Sequence, residues 1–342
     1  MTRDATDAKT TIKHRRKYRG FLWNWSEYLL LIGITWILKL VPHRASNALA
    51  AFGGASYGAL CRLLNMRDHR VATINLELAY PEKSIEERNA IIRSMWRMWG
   101  RFVSDGVQMT KMSPERLRGI VRIDSKERFL EISEKVKKRG VLVLTAHFGS
   151  FEMLHAAVSA HGIPVTLVHR PMANPLVSTW LYRLRTRFGT RALARGEAAR
   201  DVLKALRDGT VVAIPFDQTA NKDTRVWAPF FGVPAATNSG LARLAHTSGA
   251  PVYPVLLIRE GESLRHKIYI GPEIPIVKTG DKERDVEQTT ILFNKTLEGL
   301  IRANPDHWIW MYRRFKQRPD AGCSPYHSWA PPLESYRVSL NN

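Results

Sequence analysis

Five short apolar runs constrain the fold of this chain more than any other feature of its sequence. They cover residues 141–145, 165–168, 211–215, 252–258 and 267–270. Each is short and rich in β-branched residues, as expected of buried strands. Segments of helical length lie between most of them, and this alternation predicts an α/β fold with a central mixed sheet flanked by helices.

Polar side chains follow three of these runs at the point where the strand should end. His147 follows the first, Arg170 the second, and Asp217 with Gln218 the third. Ligands of open α/β sheets bind outside the carboxyl ends of the strands. The sequence therefore predicts a site at this edge of the sheet.

The stretch "GVLVLTAHFGSFEML" contains the first of these strand ends. Gly149 suits a turn, and Ser150 suits the N-cap of a helix from residue 151 to about 161. A turn and a cap leave His147 and Glu152 unexplained. Imidazole is a good general base near neutral pH when a second group fixes its tautomer, and Glu152 can be that group.

Other interpretations of this stretch are weaker. A structural histidine explains His147 but leaves Glu152 as a mere helix N-terminal charge. "GSFE" lacks the Gly-x-Ser-x-Gly pattern of a serine hydrolase. A metal site needs further ligands, for which His155 and Asp217 are the available candidates, and we predict no metal.

The N-terminal region predicts contact with a membrane. A basic arm, "KHRRKYRG", precedes an apolar segment without a signal-peptide cleavage site. Its cleanest apolar run, residues 28–38, is shorter than the roughly 20 residues of a spanning helix. We expect a helix in the membrane interface, or a re-entrant pair at 28–41 and 48–64. The predicted regions are 1–65, membrane-associated helices; 66–320, the catalytic domain; and 321–342, a loose tail.

A formal net charge of +21 favours an anionic partner. Nucleic acid, an acidic membrane, an acidic carrier protein and a phosphorylated lipid all fit. Because of this charge, a membrane-tethered nucleic-acid-binding protein is the alternative of another class. Its basic residues should be gathered in a recognised binding module, whereas here they are scattered. Cys61 and Cys323 lie far apart, which predicts neither a disulfide scaffold nor a zinc site.

Several ordered motifs carry a family resemblance. "AHFGSFE", "HRPMANPL", "IPFDQ", "PFFGVPAAT" and "NPDHWIWMYRRFKQRP" resemble blocks of the lipid A biosynthesis acyltransferases, the late lauroyl and myristoyl transferases of Gram-negative bacteria. His147 and Glu152 match the H-x4-[DE] arrangement of that acyltransferase superfamily. Ser150 and Phe151 stand where the family usually has Asn and Trp. The Pro-Glu-Gly-Thr block of phosphatidic-acid-forming acyltransferases is missing.

The resemblance implies a glycerolipid acyltransferase-like fold and direct transfer of an acyl chain from acyl carrier protein to a glycolipid hydroxyl. It implies no cofactor, and a place on the anionic bacterial inner membrane with the catalytic domain on the cytoplasmic face. Phosphatidylinositol mannoside acyltransferases share much of the pattern, so another glycolipid or lysophospholipid remains an alternative acceptor.

Residue roles follow from the same resemblance. His147 would deprotonate the acceptor hydroxyl and Glu152 would orient and support it. The functional arginine would be Arg185, with Arg183 and Arg187 as alternatives in register. Further candidates for substrate binding are Arg170, Asp217 and Gln218, and candidates for the acyl pocket are Trp227, Phe230, Phe231 and Trp308.

Overall fold

The computed structural model describes residues 20–194, 198–319 and 322–337. Two helices come first, α1 (Phe21–Leu40) and α2 (His43–Leu63), and Pro42 occupies the N-cap position of α2. Helices α3 (Arg67–Ala79), α4 (Ile85–Met109) and α5 (Pro114–Ile120) follow. Ser84 and Glu87 form a capping box that fixes the start of α4.

Strands and helices alternate in the rest of the chain. In order they are β1 (Val121–Ile123), α6 (Lys126–Arg139), β2 (Val141–Thr145), α7 (Phe151–Ala160), β3 (Val165–His169), α8 (Pro175–Thr186), β4 (Arg191–Ala194), α9 (Ala198–Arg207), β5 (Val211–Pro215), β6 (Arg225–Phe230), β7 (Val233–Asn238), α10 (Gly240–Ser248), β8 (Val252–Arg259), β9 (His266–Ile270) and α11 (Lys282–Ala303).

Seven strands form one mixed sheet in the order β1-β9-β8-β2-β5-β3-β4. Strands β8, β2, β5, β3 and β4 run parallel, and β9 pairs antiparallel with β8. The carboxyl ends of β2, β5 and β3 therefore lie side by side. Helices flank the sheet, so the predicted α/β class with a mixed central sheet is confirmed.

The five predicted strands are all present within one or two residues of the expected bounds. Sequence analysis missed β1 and β4, which are only three and four residues long. It also missed the antiparallel hairpin of β6 and β7, whose turn consists of Phe231 and Gly232 at φ values of 53° and 72°. Two successive positive φ angles are typical of a tight type I′ hairpin turn.

Helix α2 packs closely on α4, and glycine makes the crossing possible. A Cβ on Gly100 would lie 1.9 Å from the carbonyl oxygen of Ala50, so any larger residue would separate the two helices. In α4, Ile92, Met95 and Trp96 face the core, whereas Arg93 and Arg97 are exposed. Helix α4 is therefore amphipathic.

Helix α1 carries a broad exposed apolar surface. Leu22, Leu30 and Leu40 are 81%, 66% and 77% exposed, and Phe52 of α2 extends this surface at 72%. Among the described residues, α1 is the helix long and apolar enough to cross a membrane. It is longer than the predicted run because Glu27 is satisfied within the fold, where its carboxylate accepts hydrogen bonds from Trp23 and Asn174.

The C-terminal segment is docked rather than loose over its described residues 322–337, which corrects the expectation for the tail. The Tyr326 hydroxyl donates to the side-chain oxygen of Asn75 in α3 at 2.5 Å. Tyr336 is 3% exposed, and its hydroxyl donates to the carbonyl of Cys323. These tyrosines help to hold in place a segment whose regular structure is one short 3-10 helix, Leu333–Tyr336, among the described residues.

Candidate active site

The turn after β2 places His147 at the carboxyl edge of the sheet. Gly149 in this turn has a φ of 53°, and a Cβ there would lie 2.8 Å from the carbonyl oxygen of Leu257. Its amide donates a 2.7 Å hydrogen bond to the carbonyl of His307. Glycine is therefore required, and the turn is held against the segment that contains His307.

His147 is oriented by Asp217, which follows β5. The two side chains meet at 2.9 Å between Nδ1 and Oδ1, while Oδ2 accepts the backbone amide of His147 at 3.1 Å. Trp308 Nε1 donates to the same Oδ2 at 3.0 Å. A carboxylate only accepts, so Nδ1 carries the proton and Nε2 is left as the basic nitrogen. Gln218 lies 3.4 Å from that Nε2.

Charges explain the protonation of this pair. Burial alone would lower the pKa of His147, but the adjacent Asp217 carboxylate outweighs it and raises the pKa above the ordinary histidine value. Burial would raise the pKa of Asp217, yet the charge and hydrogen bonds of His147 lower it. Asp217 therefore stays ionised and stabilises a protonated imidazole.

Glu152, in the first turn of α7, pairs with Arg185 of α8. Arg185 Nε donates to Oε2 at 2.8 Å, and its terminal nitrogen donates to Oε1. His155 Nε2 lies 3.5 Å from Oε2, and the other ring nitrogen contacts Thr190. Burial would raise the pKa of Glu152, but Arg185 and His155 bring it down to about 2.

The cationic side chains around the site differ in their exposure to solvent. Arg185 points inward and is half-buried, whereas Arg183 and Arg187 on the same helix are exposed. Arg170 follows β3, and Lys316 lies in the C-terminal region; both are exposed and line the mouth of a cavity. Arg185 thus lies inside the cavity, while Arg170 and Lys316 lie at its entrance.

A cavity of about 770 Å³ opens at His147 and extends along one face of the sheet. Strand register arranges its wall in three rows. Thr145, Pro215 and His169 form the row at the carboxyl edge; Val143, Ala213 and Leu167 form the middle row; and Val211 with Val165 forms the lowest row. The two lower rows of this wall are apolar, whereas Glu152 and Arg185 line the cavity from α7 and α8.

A stack of aromatic rings forms another part of the cavity wall. Trp99 stacks on Phe102 of α4, Phe102 stacks on Phe151 at 4.6 Å, and Phe151 meets the His147 ring edge-on at 5.0 Å. Trp99, Phe102 and Phe151 all line the cavity. One apolar surface therefore connects α4 with the histidine.

Ser150 occupies the N-cap position of α7 but does not cap it, contrary to the sequence prediction. Its hydroxyl donates instead to Asp105, a fully buried carboxylate of α4 that also binds Arg259 of β8. Nε2 of His266 lies 3.3 Å from Asp105, and that of His43 lies 3.5 Å away. The turn that carries His147 is thereby tied to α2, α4 and the sheet.

Comparison with known proteins decides the family. The family model described as "bacterial lipid A biosynthesis acyltransferase" matches residues 12–317. The chain belongs to this family. It is 28% identical to the lipid A biosynthesis palmitoleoyltransferase of Escherichia coli K12, over 86% of this chain and 92% of that protein. It is 27% identical to the lipid A biosynthesis lauroyltransferase of the same strain, over 86% of this chain and 93% of that protein. It is 24% identical to the myristoyltransferase of that strain, over 80% of this chain and 82% of that protein.

As a member of the lipid A biosynthesis acyltransferase family, the chain is an acyltransferase that acts on lipid A. This assignment favours the enzyme over the nucleic-acid-binding alternative. Among residues 20–194, 198–319 and 322–337, no three His, Cys, Asp or Glu side chains come together as a group that could hold a metal ion.

The fold brings together most of the polar residues that the sequence singled out. His147, Glu152, Arg170, Arg185 and Gln218 line one cavity, and Asp217 supports the first of them from behind. The partner of His147 is not the one that the sequence predicts. Within the described residues no hydrogen bond joins His147 to Glu152; Asp217 orients the imidazole because β5 ends beside β2, and Glu152 pairs with Arg185.

The four aromatic residues expected in the acyl pocket do not line this cavity. Phe230, Phe231 and Trp308 are at most 1% exposed, in the core on the opposite face of the sheet, because the β6–β7 hairpin packs there. Trp227 lies under the guanidinium of Arg225, 4.7 Å from the ring centre. The expectation for these four residues is therefore not met in the cavity that His147 lines, and Trp308 instead donates to Asp217.

Sequence analysis also missed Asp105 and the lining of the cavity. Asp105 sits within an amphipathic helix, where its position gives no signal that three other elements converge on it. The apolar rows look like ordinary strand residues in sequence. Their role depends on α7 and α6 standing off the sheet far enough to leave a cavity.

Proposed function

We propose that this enzyme moves a fatty acyl chain from the thioester of acyl carrier protein to a hydroxyl of a lipid A precursor, with His147 as general base. The observation that carries the proposal is the pairing of His147 Nδ1 with the buried Asp217, which leaves Nε2 available at the mouth of a 770 Å³ apolar cavity. The sheet, with helices on its faces, is consistent with a glycerolipid acyltransferase-like architecture.

The reaction follows from the protonation state of the pair. Neutral His147 accepts the proton of the acceptor hydroxyl at Nε2 while the hydroxyl oxygen attacks the thioester carbonyl carbon. The imidazolium is stabilised by the Asp217 carboxylate 2.9 Å from Nδ1. When the tetrahedral intermediate collapses, the carbon–sulfur bond breaks and the imidazolium returns its proton to the thiolate of the carrier. No covalent enzyme intermediate is needed.

Glu152 acts as a positioning residue in this scheme. Its carboxylate holds the Arg185 guanidinium at the floor of the site through two hydrogen bonds. Its negative charge also helps to raise the pKa of His147, after the larger contribution of Asp217. Arg185 and the N-terminal end of α7 together place positive potential where the oxyanion develops.

The cavity supplies the acyl-binding site. Its volume of about 770 Å³ lies within the range of about 300–1,000 Å³ that is usual for ligand pockets. The rows formed by Val143, Ala213 and Leu167 and by Val211 with Val165 offer an apolar path that leads away from His147. An acyl chain on this path places its carbonyl carbon at the polar mouth.

The exposed surfaces support a membrane enzyme with an acidic partner. Helix α1 exposes its apolar side chains and contacts α8 through Asn174, which donates to the carbonyl of Asn24 at 2.8 Å. A bilayer against α1 would therefore lie close to the helix that carries Arg185. Arg170 and Lys316 at the mouth suit an acidic carrier or a lipid phosphate. The enzyme would work at the cytoplasmic face of the bacterial inner membrane.

The test uses purified full-length enzyme in detergent or vesicles, with lauroyl carrier protein and a lipid A precursor, and mass spectrometry of the product. His147→Ala should reduce transfer about 10²- to 10⁴-fold, the usual contribution of a general base. The matched control is Arg187→Ala, a change at the exposed residue that directly follows α8. Wild-type activity in His147→Ala would contradict the proposal, as would wild-type transfer from a free fatty acid but not from the carrier thioester.

A further inference from the structure

One hydroxyl in the cavity wall has no hydrogen-bond partner. Thr145 is the last residue of β2 and is 5% exposed, and its Oγ1 is buried without a partner among the described residues. A hydroxyl buried without a hydrogen bond is unfavourable by about 1–3 kcal/mol. Valine has nearly the same shape and occurs elsewhere along this strand, so packing alone does not require threonine here.

The position of Thr145 relates it to the substrate. It lies in the row at the carboxyl edge, with Val143 and the apolar rows on one side and His147 on the other. A strand rises about 3.3 Å per residue, so Thr145 and His147 are separated by roughly 6–7 Å along the chain. An acyl chain whose carbonyl is at His147 therefore passes Thr145 with its first few carbons.

A second polar group shares the row. His169 ends β3 and faces the same cavity, and its Nδ1 also has no hydrogen-bond partner among the described residues. Burial and the charge of Arg185 lower the pKa of His169, so its ring remains neutral near pH 7. This row is therefore polar at both ends, unlike the two rows below it.

We propose that Thr145 forms a polar subsite inside the acyl cavity, which accepts a hydroxyl group carried on the donor acyl chain close to its carbonyl carbon. The inference rests on the proposed function, in which this cavity takes the donor chain. The hydroxyl of a hydroxyacyl chain forms a hydrogen bond with the Thr145 hydroxyl, so that neither group is buried without a partner. A plain chain leaves the Thr145 hydroxyl without a hydrogen bond. The enzyme should therefore use hydroxylated donors at least as well as plain ones.

The experiment compares lauroyl, 2-hydroxylauroyl and 3-hydroxylauroyl carrier protein as donors for the wild-type enzyme, Thr145→Val and Thr145→Ser. Thr145→Val should lower the ratio of kcat/KM for the preferred hydroxylated donor to kcat/KM for lauroyl about tenfold, the effect of one hydrogen bond. Because the ratio compares two donors in the same variant, a loss of activity common to both donors does not enter it. Thr145→Ser, which retains the hydroxyl, should keep the wild-type ratio.

Thermal unfolding adds an independent measurement. Thr145→Val should change the melting temperature less than a variant that removes a buried hydroxyl with a hydrogen bond inside the protein. Thr290→Val is the matched control, since the Thr290 hydroxyl is also buried but donates to the carbonyl of Val286 at 2.7 Å, and its loss should lower the melting temperature.

The outcomes separate this inference from the proposed function. Equal loss of plain and hydroxylated transfer in Thr145→Val, or an unchanged ratio, overturns the subsite while wild-type lauroyl transfer upholds the proposed function. Absence of lauroyl transfer by the wild-type enzyme overturns the proposed function itself. A wild-type enzyme that transfers lauroyl but rejects both hydroxylated donors also overturns the subsite.

Discussion

Arg185 donates hydrogen bonds to both carboxylate oxygens of Glu152, one of them 2.8 Å long between Nε and Oε2. The pair lies at the floor of the cavity, with side chains only 13% and 7% exposed. Glu152, the acidic residue of the H-x4-[DE] arrangement, thus forms its hydrogen bonds with an arginine of α8. His147 forms its hydrogen bond with Asp217, which follows β5.

Glu152→Gln should weaken this pair and lower the free energy of unfolding by about 2–3 kcal/mol, because Arg185 keeps its charge in a buried setting. Denaturant unfolding at pH 7 measures the effect, with the exposed Glu127→Gln as control. Equal stability of the two variants would contradict the ion pair.

The pH dependence of that stability has a defined sign. The pKa of Glu152 falls from an ordinary 4.5 to about 2 on folding. Its contribution to stability should therefore be fully present above about pH 4.5 and be lost as the pH falls toward 2. Glu152→Gln should remove this part of the acid sensitivity, measured by denaturant unfolding between those pH values.

Asp105 should be essential for folding because it supplies the counter-charge of the buried Arg259 guanidinium. Asp105→Asn leaves the Arg259 guanidinium buried without a counter-charge, which typically costs about 3–5 kcal/mol. Asp105→Asn combined with Arg259→Met should recover part of that loss. A double-mutant cycle measures the coupling, and simple additivity of the two losses would show that the residues act independently.

Membrane binding should depend on the exposed face of α1. Leu30→Glu and Ile37→Glu alter side chains that are 66% and 57% exposed. Each should weaken binding to phosphatidylethanolamine–phosphatidylglycerol vesicles about tenfold or more, since burying such a side chain contributes about 1.5–3 kcal/mol. Leu130→Glu on α6, 64% exposed, is the matched control. Weakening by Leu130→Glu alone would move the membrane surface to α6.

The lowest row of the cavity should set the acyl chain length. Val165→Phe fills that end and should shift donor preference toward chains shorter than those that the wild-type enzyme uses best, measured with carrier proteins bearing different acyl lengths. Overpacking costs about 1–3 kcal/mol, so Val212→Phe, on the opposite face of β5, controls for lost stability. An equal loss for all chain lengths would argue against an acyl path at Val165.

Sequence patterns were sufficient for the strands and the residues at their ends. His147, Arg170 and Asp217 could be placed together because parallel strands bring their carboxyl ends to one edge. The choice between Asp217 and Glu152 as partner of His147 depends on β5 lying beside β2, and strand order is not encoded in local periodicity. Which of Arg183, Arg185 and Arg187 faces the cavity depends in the same way on the face of α8 that packs against α7, and the residue that does so is Arg185.

The lining of the cavity in which we propose that the acyl chain binds could not be predicted, for a different reason. Phe230, Phe231 and Trp308 are apolar and aromatic, but so are most core residues, and the hairpin buries them on the far face of the sheet. The lower rows of the cavity wall are aliphatic side chains that any buried strand contains, and its aromatic side chains resemble those of any core. Whether a cavity forms depends on the distance between the sheet and the helices that cover it, and this distance cannot be read from composition.

The pH dependence of kcat/KM for the wild-type enzyme and Asp217→Asn tests the central claim most directly. Asp217 raises the pKa of His147 above the ordinary 6.5, so wild-type activity should rise with pH through an inflection above that value as the imidazole loses its proton. In Asp217→Asn the inflection should move to lower pH, with a plateau about 10²- to 10⁴-fold lower because the tautomer and the imidazolium are no longer stabilised. An unchanged inflection and plateau in Asp217→Asn would contradict the assignment of His147 as a base that Asp217 orients.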